Sequence, residues 1–173
     1  MGICIGEIDG RTRTLRVIES ITLVIDKAIK VNDYQRYARF TKHELIEEYL
    51  AKVLGDLLVH YDIDAVVFEA AYHSVSLIAY ESLLFYGRVI RRISSDYDWD
   101  LLIESKSPST VKKVNGVNGK SSDKNLVTEA VRANSNIIIP DSINLDNLTE
   151  HAVDAIAIAY SVVYDLAEAL PPP

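Results

Sequence analysis

The chain has 173 residues, 49% of them hydrophobic, enough to bury one sizeable core. That length favours a single domain over residues 1–170, with 171–173 as a proline tail. One cysteine, Cys4, excludes an internal disulfide. No run approaches the ~20 apolar residues of a membrane span, and the start has no basic secretory leader, so the expectation is a soluble, cytoplasmic protein. A net charge of −7 argues against a polyanionic partner for the chain as a whole. Residues 88–124 nonetheless carry eight basic against five acidic side chains, a local excess of +3, and form the only candidate nucleic-acid footprint.

In chain order, Gly2 to Ile8 reads as a strand and Thr14 to Ile25 as a second extended run, with Asp9-Gly10 as the turn of an antiparallel hairpin. Thr41-Lys42-His43-Glu44 has the form of a capping box, and the apolar residues from Leu45 to Leu58 follow at helical spacing. His43 falls in the polar first turn of that helix, where a solvated histidine is expected. Ile63 to Glu69 reads as a strand buried on both faces, ending in a carboxylate at the edge where open α/β sheets bind ligands. Tyr72 and His73 follow, either lining a site or packing. Val75 to Tyr86 reads as a helix, Asp100 to Glu104 as a strand, and Pro108 as the residue that ends it.

The stretch from Pro108 to Lys124 is basic, hydroxyl-rich and punctuated by Gly116 and Gly119, so its amides and lysines suit phosphates. Its glycine spacing does not fit a Walker motif. A helix over about Asp123 to Arg132 and a short strand at Ile137 to Ile139 come next. The final helix, Glu150-His151-Ala152-Val153-Asp154-Ala155-Ile156-Ala157-Ile158-Ala159-Tyr160, places two metal-ligating residue types three apart on one face of an apolar segment. Burying both requires a partner, which is a metal ion, another carboxylate or a backbone carbonyl. The element order indicates a mixed α/β layer fold with one antiparallel hairpin.

Glu69 at a strand end, the basic loop and the His151/Asp154 helix occur in an order that resembles the RuvC family of Holliday-junction resolvases, especially its bacteriophage-encoded relatives. The resemblance spans nearly the whole chain. Gly2-Ile3-Cys4-Ile5-Gly6-Glu7-Ile8 is similar to the family's second strand, and Val66-Val67-Phe68-Glu69 to the strand bearing its second acidic ligand. Val111-Lys112-Lys113 with Asp123-Lys124 resembles its lysine-bearing loop, and the helix from Glu150 its metal-binding helix, whose first ligand position is Asp or His. The resemblance implies an RNase H-like mixed sheet flanked by helices, a homodimer, and Mg²⁺-dependent hydrolysis of branched DNA, in the host cytoplasm if the gene is a phage's. Mn²⁺ is the alternative ion. Glu69, His151 and Asp154 are then the metal ligands and catalytic residues, and Lys112, Lys113, Lys120 and Lys124 the DNA contacts. Two such ions roughly 3.5–4 Å apart activate a water and stabilise the leaving oxygen of a phosphodiester.

One departure matters. The family's first catalytic Asp lies on a central strand preceding the counterpart of Gly2 to Ile8, and this sequence shows no such strand. The preferred expectation is a chain that starts too late, at an internal methionine, and is a poor or inactive nuclease. The rival register makes Ile3 to Asp9 the first strand, with Asp9 as the missing ligand. Two alternatives accompany the endonuclease reading: a junction-binding protein without catalysis, and another RNase H-like nuclease acting on flaps or RNA–DNA hybrids. Leu77, Ile78 and Leu84, or Leu45 and Tyr49, are candidates for either a dimer interface or the core.

Overall fold

A computed structural model describes residues 1–32, 40–72, 76–119 and 125–169. The chain divides into two compact units, one of Met1–Leu23 with Lys106–Pro173 and one of Val24–Ser105. Among the described residues no helix is long and apolar enough to cross a membrane.

The first unit begins with the expected hairpin. Strands β1 (Gly2–Asp9) and β2 (Thr14–Thr22) pair antiparallel from Gly2 opposite Thr22 to Asp9 opposite Thr14, with a bulge between Ile5 and Gly6. Asp9 shapes the turn with its carboxylate, whose Oδ1 accepts from the backbone N–H of Arg11 (2.8 Å) and Thr12 (3.2 Å). Arg13 completes it in the left-handed region at φ 57°. After β2 the expected strand stops short, because Ile25 opens helix α1 (Ile25–Asn32) of the second unit.

Elsewhere in the second unit, Thr41 forms the capping box of α2 (Lys42–Tyr61) with Glu44, as its sequence predicts. His43 is exposed and meets the ring of Phe85 edge-on, with centroids 4.6 Å apart. Strand β3 (Ala65–Glu69) pairs with β4 (Leu102–Lys106) in a separate two-stranded sheet. The apolar run of β3 predicts burial on both faces. Instead its two end residues are exposed and Val66, Val67 and Phe68 half-buried, since a two-stranded sheet supplies little cover. Helix α3 (Leu77–Tyr97) runs eleven residues beyond the expected end, through Gly87, where a side chain would press on the ring of Phe68. Leu45 is buried, whereas Leu77 and Ile78 are exposed.

Back in the first unit, Pro108 does not merely end a strand. Ser107 caps α4 (Pro108–Val114) by accepting from the Thr110 N–H (3.2 Å), and the proline sits at the first helical position, where its missing N–H costs nothing. The expected loop is therefore a helix in its first half. Helix α5 (Asn125–Ala133) and strand β5 (Ile137–Ile138) follow, β5 joining β2 in parallel through Leu15–Ile137 and Arg16–Ile138. The sheet order is β1-β2-β5, which leaves β1 at an edge. A 3₁₀ turn (Leu145–Asn147) leads into α6 (Glu150–Ala169).

The core of this unit gathers Leu15 and Val17 of β2, Val111 of α4, Val127 and Val131 of α5, and Val153, Ile156, Ala157 and Val163 of α6. Cys4 and Ile8 of β1 pack against it. Burial pushes the Cys4 thiol up to about 12 from an ordinary 9.0. The folded state thus keeps its proton longer than the unfolded chain, so this contribution to stability is whole below about pH 9 and is lost as pH rises toward 12. Over that window the single proton gives a slope of ~1.4 kcal/mol per pH unit. We expect the urea midpoint of the protein to fall more steeply between about pH 9 and pH 10.5 than that of a Cys4→Ala variant. Parallel curves for the two proteins would contradict the assignment.

Candidate active site

The site candidates of the first unit depend on how α6 is seated. Thr149 precedes it, its carbonyl accepting from Ala152 N–H (3.0 Å) and Val153 N–H (3.1 Å) and its hydroxyl lying 3.3 Å from the Ala152 nitrogen. The same hydroxyl meets that of Thr22, at the end of β2, at 2.6 Å. Beside it, Gly2 lies against the backbone of His151. A Cβ on Gly2 would come within 2.8 Å of Ala152 N and closer still to the His151 carbonyl oxygen. Only glycine permits this approach, whatever its φ. Ala152 and Ala157, both fully buried, keep the helix close to the sheet.

This seating fixes His151 and Asp154 on one side of the first two turns. The expectation of two ligands buried in an apolar helix is corrected here: His151 is exposed and Asp154 half-buried, while the buried face is carried by Ala152, Val153, Ile156 and Ala157. His151 therefore needs no buried partner. Asp154 and Glu150 each have an electrostatic or hydrogen-bonding partner. A cleft of about 290 Å³ beside the first turn is lined by Thr128, Arg132, Asp146, Glu150 and neighbours, and neither His151 nor Asp154 contributes to it. Arg132 and Asp146 close an ion pair across that cleft.

Asp9, the rival ligand, is excluded by strand geometry. Seven residues separate it from Gly2, a span of ~23 Å at ~3.3 Å per residue, whereas Asp154 is one helical turn, ~4.5 Å of rise, from the His151 that Gly2 touches. Asp9 is also exposed and occupied in its turn, whose hydrogen bonds from Thr12 and Arg11 hold its carboxyl below the ordinary range.

Glu69 stands in the second unit, exposed at the end of β3, and has a partner there or elsewhere in the chain. Among the described residues no three His, Cys, Asp or Glu side chains form a group able to hold a metal ion. The carboxylate of Asp154 suits a hard divalent cation and the imidazole of His151 a softer one, yet the described residues alone do not assemble a complete ligand set.

The basic footprint also divides. Arg91 and Arg92 belong to α3 of the second unit, where Arg91 lies 5.0 Å from the Phe68 ring centroid and Arg92 is ion-paired with Glu47 and, at 4.0 Å, Asp96. Lys106 is buried, its side chain 7% exposed, and paired with Asp165 of α6. Arg88 is exposed on α3 as well, while in the first unit Lys112, half-buried and with a partner of its own, and Lys113, exposed, stand on the last turn of α4. Lys120, Lys124 and His73 lie outside the described residues. Sequence reasoning misses Asn115, Thr149 and Asp165, each of which ties α6 to another part of the unit. Thr149, one residue before the apolar helix, is legible as a cap.

These features define an α/β fold of the RNase H type, a small mixed sheet flanked by helices. The chain is similar to a solved structure of Thermus thermophilus RuvC, with a TM-score of 0.61 and 14% identity over 95% of this chain and 87% of that one. At that identity the likeness establishes the fold. No protein-family model matches the sequence, and no curated protein matches it.

The seating of α6 makes a direct test. Gly2→Ala forces a Cβ into backbone atoms that cannot move aside, so we expect a loss of about 1–3 kcal/mol and a melting temperature lower by at least ~3 °C. A melting curve superimposable on that of the wild type would show that β1 and α6 are not locked at this point.

Proposed function

We propose that this chain is a metal-dependent endonuclease that resolves Holliday junctions or other branched DNA by phosphodiester hydrolysis. The observation that carries this reading is the RuvC-like fold over 95% of the chain, joined to a helix that presents His151 and Asp154 on its accessible side. In this reading Glu69, His151 and Asp154 are the metal ligands and catalytic residues. Mg²⁺, with Mn²⁺ as substitute, is the cofactor, two ions to a site. Lys112 and Lys113, with Lys120 and Lys124, contact DNA phosphates. The bacteriophage-type affiliation, the homodimer and the cytoplasmic location belong to the same proposal. The exposed Leu77 and Ile78 at the start of α3 are compatible with a subunit contact.

A second reading, junction binding without cleavage, is favoured by one observation: the described residues do not bring a third ligand-type side chain to His151 and Asp154. A single assay separates the two. The chain is incubated with an end-labelled synthetic four-way junction in Mg²⁺ and in Mn²⁺, with linear duplex of equal length as control. The endonuclease reading expects junction-dependent nicks that fall at least ~100-fold in Glu69→Gln, His151→Ala and Asp154→Asn, a loss of ~2.7 kcal/mol or more of transition-state stabilisation. Tight junction binding with no nick in either metal favours the second reading. Equal, weak binding to junction and duplex overturns both.

A further inference from the structure

We infer that Asn115 is a positioning residue, a latch that sets Lys112 and Lys113 at a fixed place relative to the His151/Asp154 face of α6. The inference rests on the reading of these lysines as phosphate contacts. Asn115 is the C-terminal cap of α4 and is 7% exposed. Its side-chain amide donates to the carbonyl of Val111 (2.8 Å) in its own helix and to that of Ala157 (3.0 Å) in α6. Ala157 lies one turn beyond Asp154, ~4.5 Å further along the helix axis. The bond therefore joins the basic turn to α6 one turn beyond Asp154 and ~9 Å of rise beyond His151.

The turn itself is rigid. Gly116 adopts φ +75°, and its N–H donates to the Lys113 carbonyl (3.1 Å), while that of Val117 donates to the Lys112 carbonyl (2.8 Å). These are the two bonds of a Schellman motif, which only a residue tolerant of positive φ closes without strain. The backbones of both lysines are thus pinned within α4, and Asn115 pins α4 to α6. Val111 and Val117, four residues before Asn115 and two after it, are both buried.

Stability alone does not explain an asparagine here. Its Oδ1 is buried and has no hydrogen-bond partner among the described residues, a cost that an apolar side chain of similar size would not incur. Both carbonyls that it serves lie within helices, where a backbone bond is available to each. What the amide adds over leucine is a directional bond to one particular carbonyl, and hence a fixed register between α4 and α6.

The test uses the full chain with Asn115→Leu and Asn115→Ala, compared with Lys112→Ala/Lys113→Ala. Each protein is melted, and its affinity for a fluorescent four-way junction is measured across a salt series. We expect the leucine variant to melt within a few degrees of the wild type yet bind about 5–10-fold more weakly. Its plot of log Kd against log salt should be shallower by about 1, the change expected when one fewer phosphate is neutralised. The double lysine variant should show at least as large a fall in slope. A leucine or alanine variant with lowered melting temperature but unchanged affinity and salt slope makes Asn115 structural only and overturns the latch. The same holds if neither variant folds, or if neither changes anything. If instead the double lysine variant binds as the wild type does, the phosphate reading of this turn fails, and the latch with it.

Discussion

The first unit depends on how closely β1 approaches α6. Gly2 occupies space that any side chain would fill, and the His151 backbone stands where that side chain would be. The antiparallel register carries this constraint across the hairpin, since Gly2 is opposite Thr22 and Thr22 is hydrogen-bonded to Thr149. The first turn of α6 is held at two points, one on each strand. Fully buried alanines at 152 and 157 extend the close packing down the helix. Residues on the outer side of such a helix are placed by the backbone rather than by their own contacts, as a precise site requires.

Two polar fixtures supplement this apolar seam, and they act differently. The Lys106–Asp165 pair ties the chain at Lys106 to the last turns of α6, with the lysine buried and the carboxylate partly in water. Desolvating the ammonium offsets much of the attraction, so the pair adds less to stability than its geometry suggests, while removing one partner alone is costly. Asn115 is a neutral analogue of the same arrangement, its amide satisfied and its oxygen without a partner among the described residues. Hydrophobic burial of Leu15, Val131, Ile156 and Val163 supplies the bulk of the stability. The polar groups select one arrangement of α4, α6 and the segment at Lys106 among those that such a core would tolerate.

Local chemistry makes much of the fold legible. Asp9-Gly10 between two Val/Ile-rich runs, and the Thr41/Glu44 box, are signals whose physics is complete within a few residues, and both appear where expected. The features that escape a reading of the sequence depend on context beyond the residue itself. Pro108 reads equally well as a terminator or as the first residue of a helix, and Ser107 behind it decides the matter. Apolar composition exaggerates the burial of β3 because it does not reveal how many strands share a sheet. Alanines at 155 and 159 make α6 look apolar all round, yet both are only half-buried and the helix has an accessible side. Nor does the basic excess of residues 88–124 reveal which of its charges are already paired, as Arg92 is with Glu47 and Lys106 with Asp165.

The same separation between local and distant information governs the chemistry. His151 and Asp154 are three residues apart, so their common face follows from helical geometry. A third donor has to come from another element, and no periodicity within α6 can supply it. Strand length rules out Asp9, since β1 carries it away from the end at which Gly2 meets the helix. None of the other described acidic, histidine or cysteine side chains makes up a group of three with this pair. The fold thus provides a rigid presentation of two ligand-type residues on the helix to which the turn bearing Lys112 and Lys113 is latched.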